Sequence, residues 1–596
     1  MQIIINKIKE QAISIIITLQ AALAIILSLS ALKVGYYQTI HRTTVKVAFT
    51  IKYDFTIWII ALTLLTAIYL AWKKEFHVLL LTASISILAY FLKSFRASVI
   101  VAALTLSVLT AVRMKKIEDC AFWALTFWTG LEVVALLHWG ILKPTLNVDA
   151  LQTLASLEHK IFGVTAIPAL PIALLILFIW ILKPIAKQYV QSIRDVVQLI
   201  RGEIEEQVRS SAPLKIGWKP ILALAIIFSI VTAIYTYLPS INPYDVVVGV
   251  DARHYVKYTE QLNEDLSYAF KGYLRGSRPL MLLLIFGISK LTGLSIATTV
   301  KYMPLLIHPI LTMSAFIMVL KAVGDKEWAA LSALLTAAGI MTVSDMYAYI
   351  LANTLAIAVL YVSVGYLIAA LKTRSIKEAI IASIVGTLAV VIHPWAFTQY
   401  YASIALMAVI MPIEHILTKK RVDKKFMIVA QIMLIAFLAI TGLFSLFKAQ
   451  TVGGIESIYL IREIADWIIK KTPATIHLIN FWHESIMAFM IYYGGSLSNT
   501  ILMGLALTGA YNLNREDMFQ KFLITLIAAS SIAYLIVYDH SKVRIILGIP
   551  VGVLAAKGLL EIMRSEEISK KTKIAALIFT VTFMTTYTLR SLANLV

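Results

Sequence analysis

The sequence predicts an all-α polytopic membrane protein, and three observations carry that prediction. Hydrophobic residues fill 60% of the 596 positions and charged residues only 14%, whereas soluble domains run nearer half apolar and a quarter charged. Mean hydropathy is +0.84. The apolar stretches are continuous and lack the alternation of outer-membrane barrel strands. A soluble enzyme and a disordered scaffold are thereby excluded. The net charge of +20 would suggest nucleic acid in a soluble chain; here it is weighed first against the bias of membrane proteins for basic cytoplasmic loops. Cys120 is the single cysteine, so an internal disulfide and a cysteine-based metal cluster are excluded.

A helix rising about 1.5 Å per residue needs about 20 apolar residues to cross a hydrocarbon core of about 30 Å. Candidate spans fall near 11–32, 55–72, 76–92, 97–112, 120–142 and 163–182. The first follows Lys7 and Lys9 and is longer than a signal-peptide core of about 7–15 residues, so it reads as a retained anchor. A polar stretch, 183–219, comes next, with Ile185, Tyr189, Ile193, Val196, Val197, Ile200 and Ile204 at helical spacing among Lys187, Arg194, Arg201 and Glu203. It fits an amphipathic helix on the inner leaflet and a solvated linker helix equally well. Further spans lie near 220–238, 299–320, 328–343, 350–371, 378–393, 397–417, 426–447, 485–511, 521–537, 544–563 and 574–592, about seventeen in all. The chain thus divides into an N-terminal bundle of about six helices (1–182), the linker (183–219) and a second transmembrane module (220–596).

Placing the N-terminus in the cytoplasm and alternating puts Lys73 and Lys74, then Arg113, Lys115 and Lys116, then Lys372, Arg374 and Lys377 inside. Lys419, Lys420, Arg421, Lys424 and Lys425, and later Arg564, Lys570, Lys571 and Lys573, also fall inside, provided that residues 279–292 do not cross but lie at the outer interface. The exception is the external stretch 33–54, with Lys33, Arg42, Lys46 and Lys52. Two long external loops remain, 239–278 and 448–484.

The first of these loops gathers the polar chemistry. It contains Asp245, Asp251, Arg253, His254, Tyr255 and Lys257, and ends Tyr273-Leu274-Arg275-Gly276-Ser277-Arg278-Pro279-Leu280. A carboxylate at a membrane surface, beside cations and aromatic faces, can deprotonate a hydroxyl, while arginine grips phosphate bidentately. An ordinary solubilising loop has the same composition.

One span, then an external loop with Asp251-Ala252-Arg253-His254-Tyr255, then Gly276-Ser277-Arg278-Pro279-Leu280 opening an apolar helix, resembles the GT-C glycosyltransferases. That superfamily includes the lipid A aminoarabinose transferases and the protein O-mannosyltransferases. A late span from Arg544-Ile545-Ile546 through Pro550 to Ala555-Ala556 adds to the resemblance, which covers roughly 215–596. Residues 1–182 have no counterpart in it.

The resemblance implies a dolichyl- or polyprenyl-phosphate sugar as donor, mannose by analogy, and a glycan, lipid or protein as acceptor. It implies Asp251 as general base, with inversion at the anomeric carbon. Arg253, Arg275 and Arg278 are the loop's phosphate-binding candidates, with His254 and Tyr255 beside them. His540, Lys542 and Arg544 join them from a later loop, where Lys542 and Arg544 also fit simple interfacial anchors. His393 and Trp395 fit a sugar contact or an interfacial aromatic belt; Asp345 fits shared acid–base work or a cap on the helix from 350. No cofactor is expected. Asp245 stands six residues before Asp251, so the paired carboxylates that hold a divalent cation in oligosaccharyltransferases are missing and a metal is not indicated. Partners are the lipid donor, the acceptor and the bilayer, with no nucleic acid.

Two rival readings stand beside the transferase: a secondary transporter or lipid-linked sugar flippase, and a non-catalytic membrane subunit. Glu132, mid-span, suits a transport path or a protonated side chain bonded to a neighbouring helix. His477 and His483 read as loop residues, with no zinc-protease helix motif around His483-Glu484.

Overall fold

The computed structural model describes residues 2–31, 35–40, 43–48, 56–92, 95–155, 211–271, 278–418, 424–451, 499–514, 516–536 and 541–595. The predicted span at 163–182, almost all of the 183–219 linker, and the second loop from 452 onward, with His477 and His483, lie outside them.

Among the described residues the regular structure is helical except for one hairpin. In order come α1 (Gln2–Ala31), strands β1 (Gly35–Ile40) and β2 (Thr43–Ala48), α2 (Thr56–Trp72), α3 (Phe76–Leu92), α4 (Phe95–Arg113) and α5 (Ile117–Leu137), which runs on into a wider π-turn stretch at His138–Leu146. The strands pair antiparallel, Gly35 opposite Ala48 and Ile40 opposite Thr43, so the stretch expected as a plain external loop is a hairpin. β-Branched and aromatic residues, such as Tyr36, Thr39, Val45 and Val47, are frequent in both strands and favour extended backbone.

The second module begins with α6 (Trp218–Tyr235) and the short α7 (Ala252–Glu260), followed by α8 (Pro279–Thr292) and α9 (Ile296–Tyr302). Then come α10 (Pro304–Val323), α11 (Lys326–Ala337), α12 (Ile340–Ala348), α13 (Leu351–Thr373), α14 (Ile376–Ile392), α15 (Pro394–Thr418) and α16 (Lys424–Thr451). The chain closes with α17 (Thr500–Tyr511), α18 (Met518–Ile536), α19 (Ser541–Leu547), α20 (Val551–Arg564) and α21 (Lys570–Ala593).

Eight helical stretches among the described residues are long and apolar enough to cross a membrane. The stretch Lys326–Ala348 is buried along its whole apolar window, which makes it the centre of the second module. Three predicted spans are broken rather than continuous. Pro304 starts a new helix inside 299–320, Gly339 interrupts the run that was read as 328–343, and Pro550 splits 544–563 into α19 and α20. Close packing depends on small residues. A Cβ on Gly509 of α17 would fall 1.9 Å from the Leu554 carbonyl oxygen, and one on Gly558 of α20 would fall 2.0 Å from that of Leu505, the backbone approach that glycine permits between membrane helices.

The N-terminal bundle docks along α21. Glu118 accepts from the Ser569 amide (2.9 Å), Lys571 pairs with Asp119 (2.7 Å), and further along the Thr586 hydroxyl donates to the Glu132 carbonyl (3.2 Å). The register advances in the same sense on both helices, so α5 and α21 are parallel. At their far ends Tyr235 and Ser240 donate to the carbonyls of Trp139 and Pro144. One end of the bundle therefore collects residues 138–146, the loop after α6 and the end of α21. Glu132 is wholly buried in this seam.

Helix α8 is shorter than the eight stretches long enough to cross a membrane. At about 1.5 Å per residue its 14 residues span roughly 21 Å, short of a bilayer core, and both its flanks sit at the same end. Arg278 donates to Tyr255 before it, and after it Lys301 pairs with Asp245 while Tyr349 donates to the Val300 carbonyl.

Candidate functional site

The site is built from the loop after α6. Asn242 folds the loop back on itself, donating to the Val246 carbonyl (2.7 Å) and accepting from the Val246 amide (3.1 Å). Gly249 then passes hard against Tyr349. Its φ is +111°, and a Cβ there would lie 2.6 Å from the Tyr349 Cβ and 3.0 Å from the Met346 carbonyl oxygen, so only glycine fits. The next two amides pair with the end of α12: Val250 donates to the Tyr347 carbonyl and Asp251 to that of Ala348, both at 3.1 Å. Asp251 is half-buried at the start of α7, and its own carbonyl accepts from the amides of His254 and Tyr255.

One helical turn on, Tyr255 is fully buried, with its hydroxyl between the Ala352 amide (3.4 Å) and Arg278 Nη1 (3.3 Å), both of which donate to it. Burial raises the Tyr255 phenol above its ordinary range, and the Arg278 charge works against that rise. Asp251 also acts on this phenol, which joins the carboxylate-bearing helix to the arginine.

Beyond Arg278 lies a cluster of positive charge. Arg278, Arg544 and Lys448 all act electrostatically on His393. Arg278, Lys448 and His393 are 2%, 4% and 1% exposed, so this charge sits out of bulk water, where each interaction strengthens. Four elements bring it together: the start of α8, the junction of α14 and α15, the end of α16, and α19. Lys448 donates to the Val390 carbonyl (2.9 Å), and the His393 Nδ1 accepts from the Ala396 amide (3.4 Å). Gln399 fastens α19 to α15 by donating to the Ile545 carbonyl (2.9 Å), as Tyr400 does to that of Gly548 (3.0 Å). A small, largely apolar cleft, partly open, adjoins the cluster at Arg544; Asn353, Trp395, Gln399, Ala402 and Ala533 are among its lining residues.

Of the residues singled out in the sequence, the structure thus brings Asp251, Tyr255, Arg278, His393, Trp395 and Arg544 to one end. Arg253 is exposed; two residues from both Asp251 and Tyr255, it faces the other side of α7. His254 stacks on Tyr258 (centroids 6.4 Å apart) and is half-buried. Arg275 and His540 lie outside the described residues, and Lys542 is placed in α19 by its backbone alone. Asp345 differs from expectation. It does not cap the helix from 350 but lies inside α12, wholly buried, with its Oδ2 3.0 Å from His308 Nε2. Asp245 is engaged by Lys301. Among the described residues no three His, Cys, Asp or Glu side chains gather as metal ligands.

Sequence reasoning missed Lys448 and His308. Lys448 follows an apolar run and reads locally as an interfacial anchor. His308, beside Pro309 in an apolar helix, carries no local signal of a partner 37 residues away.

Compared with known families, the chain matches no family model, and no curated protein is similar to it in sequence.

Proposed function

We propose that this chain is a membrane-embedded glycosyltransferase that moves a sugar from a polyprenyl- or dolichyl-phosphate carrier to an acceptor hydroxyl at the outer membrane face. The single observation that carries the reading is the deep burial of Arg278, bonded to Tyr255 on the helix that begins at Asp251, with Lys448 buried at the Val390 carbonyl nearby. Buried positive charge suits a phosphate that gains negative charge as its bond to the sugar breaks. The adjoining apolar cleft suits a ligand with a hydrocarbon tail. The outer placement rests on the basic residues gathered at the opposite end.

In this mechanism the acceptor oxygen attacks the anomeric carbon from the face opposite the leaving phosphate. The new carbon–oxygen bond forms as the bond to the phosphate oxygen breaks, and the electron pair goes to the lipid phosphate. Asp251 takes the acceptor's proton. Single displacement inverts the anomeric configuration. Transfer from a polyprenyl-phosphate sugar by the full chain in lipid tests the reading: Asp251→Asn is expected to abolish it while the protein still inserts. Undiminished transfer by that variant would remove Asp251 as base.

A second reading, a flippase for a lipid-linked sugar, draws support from Glu132, a carboxylate buried at bilayer depth. It predicts that Glu132→Gln halts lipid movement in vesicles, whereas Asp251→Asn does not.

A further inference from the structure

Asp251 does not hold its own position. Its backbone hangs on the last carbonyls of α12, those of Tyr347 and Ala348, so the rotation of α12 about its axis decides where the carboxylate stands. Apolar packing is non-directional, so it fixes the rotation of this nine-residue helix about its axis less sharply than a hydrogen bond does. A rotation would swing both carbonyls away from the Val250 and Asp251 amides.

The directional tie between the side chains of α12 and α10 is the His308–Asp345 pair, buried behind the backbone bonds to Val250 and Asp251. His308 Nε2 on α10 meets Asp345 Oδ2 on α12 at 3.0 Å, and both side chains are wholly buried. The pair is an expensive choice for packing alone: His308 Nδ1 and Asp345 Oδ1 have no hydrogen-bond partner, and apolar residues of similar volume commonly match a buried pair in stability. What a hydrogen bond supplies and an apolar contact does not is a fixed rotation and register. The remaining links run outward from it. The Tyr349 amide donates to the Asp345 carbonyl (2.6 Å), the Tyr349 hydroxyl is fixed to the Val300 carbonyl, and Gly249 packs on Tyr349.

We infer that His308 and Asp345 are positioning residues: a latch inside the helical core that sets the rotation of α12 and thereby places Asp251. Neither touches substrate. The inference rests on the reading of Asp251 as the group that activates the acceptor, although the latch itself is a statement about the backbone.

The test uses the full chain in lipid nanodiscs with two readouts, amide hydrogen exchange over 246–258 and transfer from a polyprenyl-phosphate sugar. His308→Leu and Asp345→Leu are expected to speed exchange of the Val250 and Asp251 amides while α13 stays protected. They lower kcat about tenfold to a hundredfold, with KM for the lipid donor unchanged, because a misplacement near 1 Å costs that much. Asp345→Asn keeps an acceptor oxygen for His308 and restores both readouts; it also serves if the leucine variants fail to fold. Unchanged exchange over 246–258 in folded His308→Leu overturns the latch. So does unchanged kcat in that variant when Asp251→Asn is inactive. If Asp251→Asn retains full transfer, the general-base reading fails, and exchange alone then decides the latch.

Discussion

At the end of the bundle away from Asp251, Arg564 meets Asp325 at 2.8 Å and Glu327 at 2.9 Å, Lys372 meets Asp517 at 2.9 Å, and Lys521 meets Glu414 at 2.7 Å. Each of these cations has a carboxylate and a share of solvent. At the site end, Arg278 and Lys448 are 2% and 4% exposed, with the Tyr255 phenol and the Val390 carbonyl among their partners. The same residue types therefore do different things. Matched pairs near water fasten loops and contribute little each. Burying charge is costly unless it is paired, and charge at the site end lies deeper than at the opposite end, where Arg564 is 42% exposed.

The sharpest test of the contrast is Asp251→Asn, for which transfer is expected to fall about a thousandfold, read with a radiolabelled lipid-linked sugar. Next comes Lys448→Met at the site end. Removing one donor to the developing phosphate charge should lower kcat about tenfold to a hundredfold; unchanged kinetics would show that Lys448 only braces the Val390 carbonyl. Gly249→Ala forces a side chain into Tyr349 at a backbone angle few residues adopt, and should cost about tenfold in kcat with the helical bundle intact by circular dichroism.

At the opposite end the expected effects are smaller and fall on stability alone. Arg564→Met should leave transfer unchanged and cost about 1 kcal/mol, discounted because the arginine is partly exposed and screened. Its pH dependence has a definite sign. Burial raises the Asp325 carboxyl, but Arg564 and the amides of Trp328 and Glu327 outweigh that and hold it below its ordinary 3.8. A depressed carboxyl contributes stability that is complete above the unfolded-state value and lost as pH falls through the folded one. The gap in melting temperature between the parent and Arg564→Met should therefore be constant above about pH 4 and close as pH drops below 3.8. A gap that persists in acid would mean that Arg564 works through its other contacts.

Much of this was legible beforehand because it depends on local chain chemistry. The apolar runs placed α2 to α5 and most later helices within a few residues, while α1 begins nine residues before its predicted span. The charge bias required α8 to stay at one interface, and its 14 residues are short of a bilayer core. The failures were local breaks and distant partners. Pro304, Gly339 and Pro550 divided runs whose hydropathy is continuous, and the 33–54 stretch, read by its charge, is a hairpin. The local sequence around Asp345 fits shared acid–base work or a cap on the helix from 350, yet its partner is His308, on another helix.

The sequence by itself determined the membrane-helical class, the order of the helices and the loop in which Asp251 stands, because hydropathy and backbone preferences act over a few turns of chain. Only the tertiary structure decided that Arg278, Lys448, His393 and Arg544 face one another, and that Asp345 turns inward to His308. Electrostatic and hydrogen-bonded contacts depend on separation in space, and these residues lie tens to hundreds of positions apart along the chain.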